Sequence, residues 1–176
     1  MNICIVPTFD SPPMRTEFKY AAILSLVLFV WLFLEFWIGF HDRFLSYLPL
    51  TTLLTSLVWA LGLYWEIREK ENKHPALTWN YGRRYRTAFL TTILALPMLL
   101  VTRWIFYDLI NPDFFNNALT KGREWASSGN RFDRSIEIMD DYFEMKVYQT
   151  SSLVFNLVTG ITFSLLLPIL FRKKRY

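Results

Sequence analysis

The chain has 176 residues, of which 53% are hydrophobic, 18% aromatic and only 19% charged, a composition too apolar for an ordinary soluble domain. Its formal net charge of +4 and pI near 9.2 would suit nucleic acid if the basic residues formed a patch of their own, but they lie beside apolar runs. Four such runs take up about half of the chain, which leaves little for a separate catalytic domain.

In chain order, Cys4 comes first, with no second thiol or histidine close enough in sequence to form a metal site. Arg15 and Lys19 precede an apolar run over 20–40 that is longer than a cleavable signal and has no small-residue cleavage site behind it, so it reads as a retained anchor. After the short His41-Asp42-Arg43 turn, a second run over 46–66 predicts an antiparallel neighbour. The third run covers 85–110 and the fourth 147–171, both long enough to cross about 30 Å of hydrocarbon. Helix is the expected form, because lipid leaves open strands unsatisfied and period-2 alternation is missing. The expected architecture is therefore all-α: one domain over 1–176, with four transmembrane helices in an antiparallel bundle.

The 111–146 connection is too long to be structureless. Asn111-Pro112-Asp113 supplies a cap, a proline and an acid in the order that starts a helix, and Ser127-Ser128-Gly129-Asn130 ends it. A second amphipathic helix follows, with Phe132, Ile136, Met139 and Phe143 on one face and Asp133, Glu137, Asp140, Asp141 and Glu144 on the other. Phe114, Phe115, Ile136 and Phe143 are expected to face inward, and the acids to form a solvated face rather than a cation site.

Two ionisable residues fall well inside the runs, Glu35 and Arg103. Counted from the outer ends at 1.5 Å per residue, both lie roughly 7–10 Å deep. A Glu35–Arg103 pair inside the bundle is the expected relief for the cost of burying them, ahead of separate snorkelling to the headgroups and of a substrate or proton site. Pro97 predicts a kink below Arg103 that would open an outward cavity. In the fourth run Ser152, Asn156, Gly160, Ser164 and Pro168 recur every four residues, a small and polar face suited to helix packing within the chain, to an oligomer seam or to a permeation wall.

Orientation follows from the basic residues. Twelve lie on the side of Arg15, Arg68, Arg83, Arg84, Arg86, Arg172, Lys173, Lys174 and Arg175, against six on the other. Both termini should therefore be cytoplasmic. Trp37, Tyr47, Trp104, Tyr107 and Tyr148 are expected as outer interface anchors, and Tyr20, Tyr64, Trp65, Trp79, Tyr81 and Tyr85 as inner ones. The edge formed by Arg83, Arg84, Arg86, Arg172, Lys173, Lys174 and Arg175 would also attract anionic lipid.

Tyr81-Gly82-Arg83-Arg84, the run Asp108-Leu109-Ile110-Asn111-Pro112-Asp113-Phe114-Phe115, the acidic outer loop and Phe171-Arg172-Lys173-Lys174 together resemble a family of small four-helix inner-membrane proteins of unknown function common in Bacteroidota. The long second connection, with its tryptophan, departs from that pattern. The resemblance implies a Gram-negative inner membrane, assigns no catalytic residue, and suggests a membrane-associated polyprenyl-phosphate glycosyltransferase as companion.

No motif names a reaction, metal or cofactor, and His41 and His74 read as isolated at opposite interfaces. The expectation is a non-enzymatic accessory or scaffold subunit with a membrane-protein partner or a second copy of itself. The alternative is a small oligomeric transporter or lipid-handling protein with a cavity near Glu35, Arg103 and Asn156.

Overall fold

The computed structural model describes residues 14–41, 48–127 and 145–171. Among these residues it has five α-helices: α1 (Arg15–Ile38), α2 (Leu48–Lys73), α3 (Tyr81–Ile105), α4 (Phe114–Ser127) and α5 (Met145–Leu170). α3 runs on into a π-helical turn at Phe106–Ile110. The acidic face from Asp133 to Glu144, the basic residues Arg172, Lys173, Lys174 and Arg175, and Cys4 lie outside the described residues.

Three of these helices are long and apolar enough to cross a membrane: Arg15–Ile38, Tyr81–Ile110 and Lys146–Leu170. Their faces are distributed as lipid would require. On α1 the buried set is Thr16, Glu17, Ala21, Leu24, Ser25, Leu28, Leu32 and Glu35, a stripe with helical spacing. The outward residues include Leu26, Val30, Phe33 and Trp37. On α3 the buried face is mostly Thr and Ala: Thr87, Ala88, Thr91, Thr92 and Ala95. Ile93, Leu100, Val101 and Trp104 point outward. Small and polar inside, large and apolar outside is the arrangement expected where lipid, not water, is the solvent.

α3 is the central element and packs against α1, α2 and α5. Cross-contacts fix how the helices meet. The start of α1 lies beside the end of α2, where Lys19 Nζ donates to Glu69 at 2.7 and 2.8 Å. Leu24 lies so close to Gly62 that a Cβ there would strike its side chain. Ser25 Oγ reaches the Ala95 carbonyl of α3 at 3.4 Å, and Trp59 of α2 meets Asn156 of α5 at 2.8 Å.

Element ends differ from the sequence expectation where polar residues find partners. α2 does not stop near Glu66 but continues to Lys73, because its last turns are tied to α1 and α3 by ion pairs. α3 starts at Tyr81 rather than Tyr85, since Asn80 Oδ1 accepts from the Arg83 N–H at 2.9 Å and caps the helix. α1 ends in Gly39, whose φ of 93° is left-handed; its N–H and that of Phe40 return to the last carbonyls of the helix. α4 begins at Phe114, two residues beyond the expected start at Pro112: Asn117 N–H bonds back to the Asp113 carbonyl, and the Asn111 side chain is used elsewhere.

Candidate functional site

The described polar residues gather at two ends of the packed helices, with a hydroxyl-lined stretch between. At the end formed by the start of α1, Glu17, Glu66, Lys70 and Thr91 are buried together, at 2%, 0%, 2% and 0% exposure. Lys70 Nζ donates to Glu17 Oε1, and Thr91 and Glu66 share a hydrogen bond through Oγ1 and Oε1. The second carboxylate oxygens, Glu17 Oε2 and Glu66 Oε2, are buried without a hydrogen-bond partner. Nearer the surface, Glu69 accepts from Lys19, from Lys73 at 2.6 Å and from the Tyr20 hydroxyl at 2.7 Å. Those three donors hold its carboxyl at about 2, below the ordinary 4.5.

The opposite end is built around His41, which is 2% exposed. The rings of Phe36, Phe106, Tyr107 and Phe114 surround it with centroids 4.9 to 6.4 Å away. Asn111 Nδ2 donates to His41 Nδ1 at 3.3 Å, which leaves the imidazole proton on Nε2, 3.5 Å from Glu35 Oε2. The π-turn carries Phe106 and Tyr107 into this cluster and delivers Asn111, whose N–H closes on the Phe106 carbonyl at 2.8 Å. Phe114 and Ala118 of α4 complete it, with Phe115 and Tyr148 packed against them.

Glu35 and Arg103 do not form an ion pair. Glu35 turns to His41, while Glu35 and Arg103 line one cavity of about 30 Å³ with Trp31, Thr55, Leu99 and Thr102. Arg103 Nη1 and Trp31 Nε1 are buried there without a protein partner. At about 10–15 Å³ per water, the cavity admits two or three water molecules. It lies above Pro97, on the side expected for an opening. Asn156 is not part of it: its Oδ1 accepts from Trp59 and its Nδ2 donates to the Ser152 carbonyl at 2.7 Å.

The other sequence candidates sort by what they touch. Asn156, Gly160, Ser164 and Pro168 are buried and Ser152 is half-buried, so the four-residue repeat of α5 faces its own neighbours. A Cβ on Gly160 would strike Thr92, and Ser164 Oγ bonds back to the Gly160 carbonyl at 2.7 Å. Arg84 is not a free member of the basic edge: it is buried, paired with Glu71 at 2.5 Å and stacked over Phe171. Arg83 donates to the Thr78 carbonyl at 2.8 Å, and Arg86 is exposed. Tyr107, expected as an interface anchor, is buried in the His41 cluster, whereas Trp37 is 80% exposed.

A family model described as a protein of unknown function (DUF4199) matches residues 19–173. The chain belongs to that family. The match takes in α2 to α5 whole and α1 from Lys19 on, hence both buried ends apart from Glu17. No curated protein and no solved structure matches the chain. Sequence reasoning missed His41 and Asn111 as a pair, and Glu17, Glu66, Lys70 and Thr91 as a cluster. The one signal available was the helical spacing of Glu66 and Lys70, which puts an acid and a base on one face.

Proposed function

We propose that this DUF4199 member is an integral inner-membrane protein with four spans in an antiparallel bundle, both termini cytoplasmic, acting as a non-enzymatic accessory or scaffold subunit. The observation that carries the reading is the inverted distribution of side chains. Thr91, Thr92, Asn156 and Ser164 are buried, while Trp37, Leu53, Val101, Val158 and Leu170 are exposed. α2 supplies the second span: its first half is apolar, with Leu53, Leu54, Leu57 and Leu61 outward, and its charged last turns lie beyond. The excess of basic residues on the side of Arg15 and Arg68 supports the orientation.

The polar groups are largely engaged within the chain, and the cavity beside Glu35 and Arg103 is of water size, which favours a protein that works through partners over a carrier of solutes or lipids. A polyprenyl-phosphate glycosyltransferase is the partner class that the family resemblance suggests, and the basic edge at Arg83 and Arg86 suits anionic headgroups. The test is extraction from native membranes in mild detergent followed by native mass spectrometry. A stoichiometric membrane protein is the expected companion. A bare chain or homo-oligomer that carries only lipid or a small molecule would overturn the subunit reading. Reporter fusions in the α2–α3 connection should report cytoplasm and fusions after α4 the opposite side; the reverse pattern would overturn the topology.

A further inference from the structure

The Glu17–Glu66–Lys70–Thr91 cluster contains more negative than positive charge if every group is ionised. Two carboxylates face one ammonium, all within 2% exposure. An uncompensated carboxylate in such surroundings is costly, and the usual relief is to bind a proton. The hydrogen-bond geometry points the same way. Thr91 Oγ1 lies within bonding reach of two oxygens, Glu66 Oε1 and the Glu17 carbonyl at 3.5 Å, yet a hydroxyl has one proton to give. If Glu66 is ionised, Thr91 donates to it and the Glu17 carbonyl contact is left without a hydrogen. If Glu66 is a neutral acid, its O–H donates to Thr91 Oγ1 and the Thr91 O–H donates on to the Glu17 carbonyl. Each hydroxyl proton of that relay is then used once, and Glu66 Oε2, the oxygen left without a partner, is the uncharged carbonyl oxygen of the acid.

We propose that Glu66 is a proton-binding site: the cluster takes up one exchangeable proton on Glu66, and Thr91 links it to α1, while Lys70 and Glu17 form the ion pair. Binding converts the Glu66 carboxylate to a carboxylic acid and brings the buried cluster to neutrality; release returns the proton to solvent and leaves one net negative charge. Among the described residues, the groups facing Glu66 are Glu17 from α1, with Lys19 and Tyr20 farther out, and Glu69 and Lys70 from α2. From α3 it is Thr91, while Arg84 of the same helix is engaged with Glu71. The described part of α5 brings no charged side chain to this end, Lys146 lying at the other.

The test is pH-difference infrared spectroscopy of the full chain in lipid vesicles, between pH 5 and pH 9. The wild type should show a protonated-carboxyl band that shifts in heavy water, carries the isotope shift of labelled glutamate, and is lost in Glu66→Gln together with one titrating proton. Because glutamine mimics the neutral acid, Glu66→Gln should keep the wild-type melting temperature, while Glu17→Gln, which strands Lys70, should lower it. Should Glu66→Gln fail to fold, Thr91→Val provides the second reading: a frequency shift of the band supports the site, and an unshifted band overturns it. Absence of a glutamate carboxyl band in the wild type also overturns the proposal, as does its persistence in folded Glu66→Gln. Stabilisation by sodium in place of a band would assign the site to a metal cation and overturn it equally.

Discussion

Gly160 and Asn156 show how single residues set the packing of α5. A Cβ at Gly160 would meet Thr92 side-chain atoms, and overpacking of a close helix contact costs about 1–3 kcal/mol. Gly160→Ala should therefore lower the melting temperature in detergent, and Thr92→Ala should restore much of the loss, a coupling measurable as a double-mutant cycle. Asn156 accepts the only hydrogen bond of the buried Trp59 indole. Trp59→Phe should destabilise by about 0.6–1.5 kcal/mol, since interhelical bonds in membrane proteins are worth about that much; equal stability would mean that the bond is replaced by another. The four-residue repeat made this face legible in the sequence. Its partners were not, because Thr92 and Trp59 sit in runs with no comparable periodic signature and long-range pairing leaves no local trace.

At the scale of elements, the end of α2 is held by charge and the start of α4 by shape. Glu69 joins α1 to α2 through Lys19 and Tyr20, and its carboxyl is held down to about 2 from 4.5. A depressed acid contributes stability that is full above its unfolded value and is lost as pH falls through its folded one. Acidification from about 4.5 towards 2 should therefore loosen this end; Lys19→Ala should flatten the response, and high salt should weaken it. α4 is docked by Phe114 and Ala118, with Asn111 bridging to His41. Asn111→Ala should expose α4 to limited proteolysis sooner than in the wild type, with α1 and α3 still protected. The Asn-Pro-Asp start of α4 could be read from sequence as a helix signal. That Asn111 would serve His41 instead of capping could not, because the π-turn that re-aims it has no sequence signature and His41 is 70 residues away.

For the whole molecule, the distribution of tryptophans offers a direct check of solvent. Trp37 is 80% exposed and Trp59 fully buried. In single-tryptophan variants reconstituted with brominated lipid, Trp37 fluorescence should be quenched strongly and Trp59 weakly; equal quenching would contradict the packing. Composition and the lengths of the apolar runs made the all-α plan legible, whereas the two polar ends were hidden because charged residues near span termini look alike whether they face water or each other. Several interior hydroxyls bond most closely to their own helix, Ser25 to Ala21, Thr92 to Ala88, Thr102 to Leu99 and Ser164 to Gly160, and the contacts across from Ser25 to Ala95 and between Thr92 and Ser164 are longer, at 3.4 Å. A hydroxyl satisfied in this way depends little on which turn of a neighbouring helix lies opposite. The helices can meet in several registers at little polar cost, and the choice falls to a few long-range pairs, Trp59 with Asn156, Lys70 with Glu17 and Asn111 with His41, which act as the alignment marks of the assembled chain.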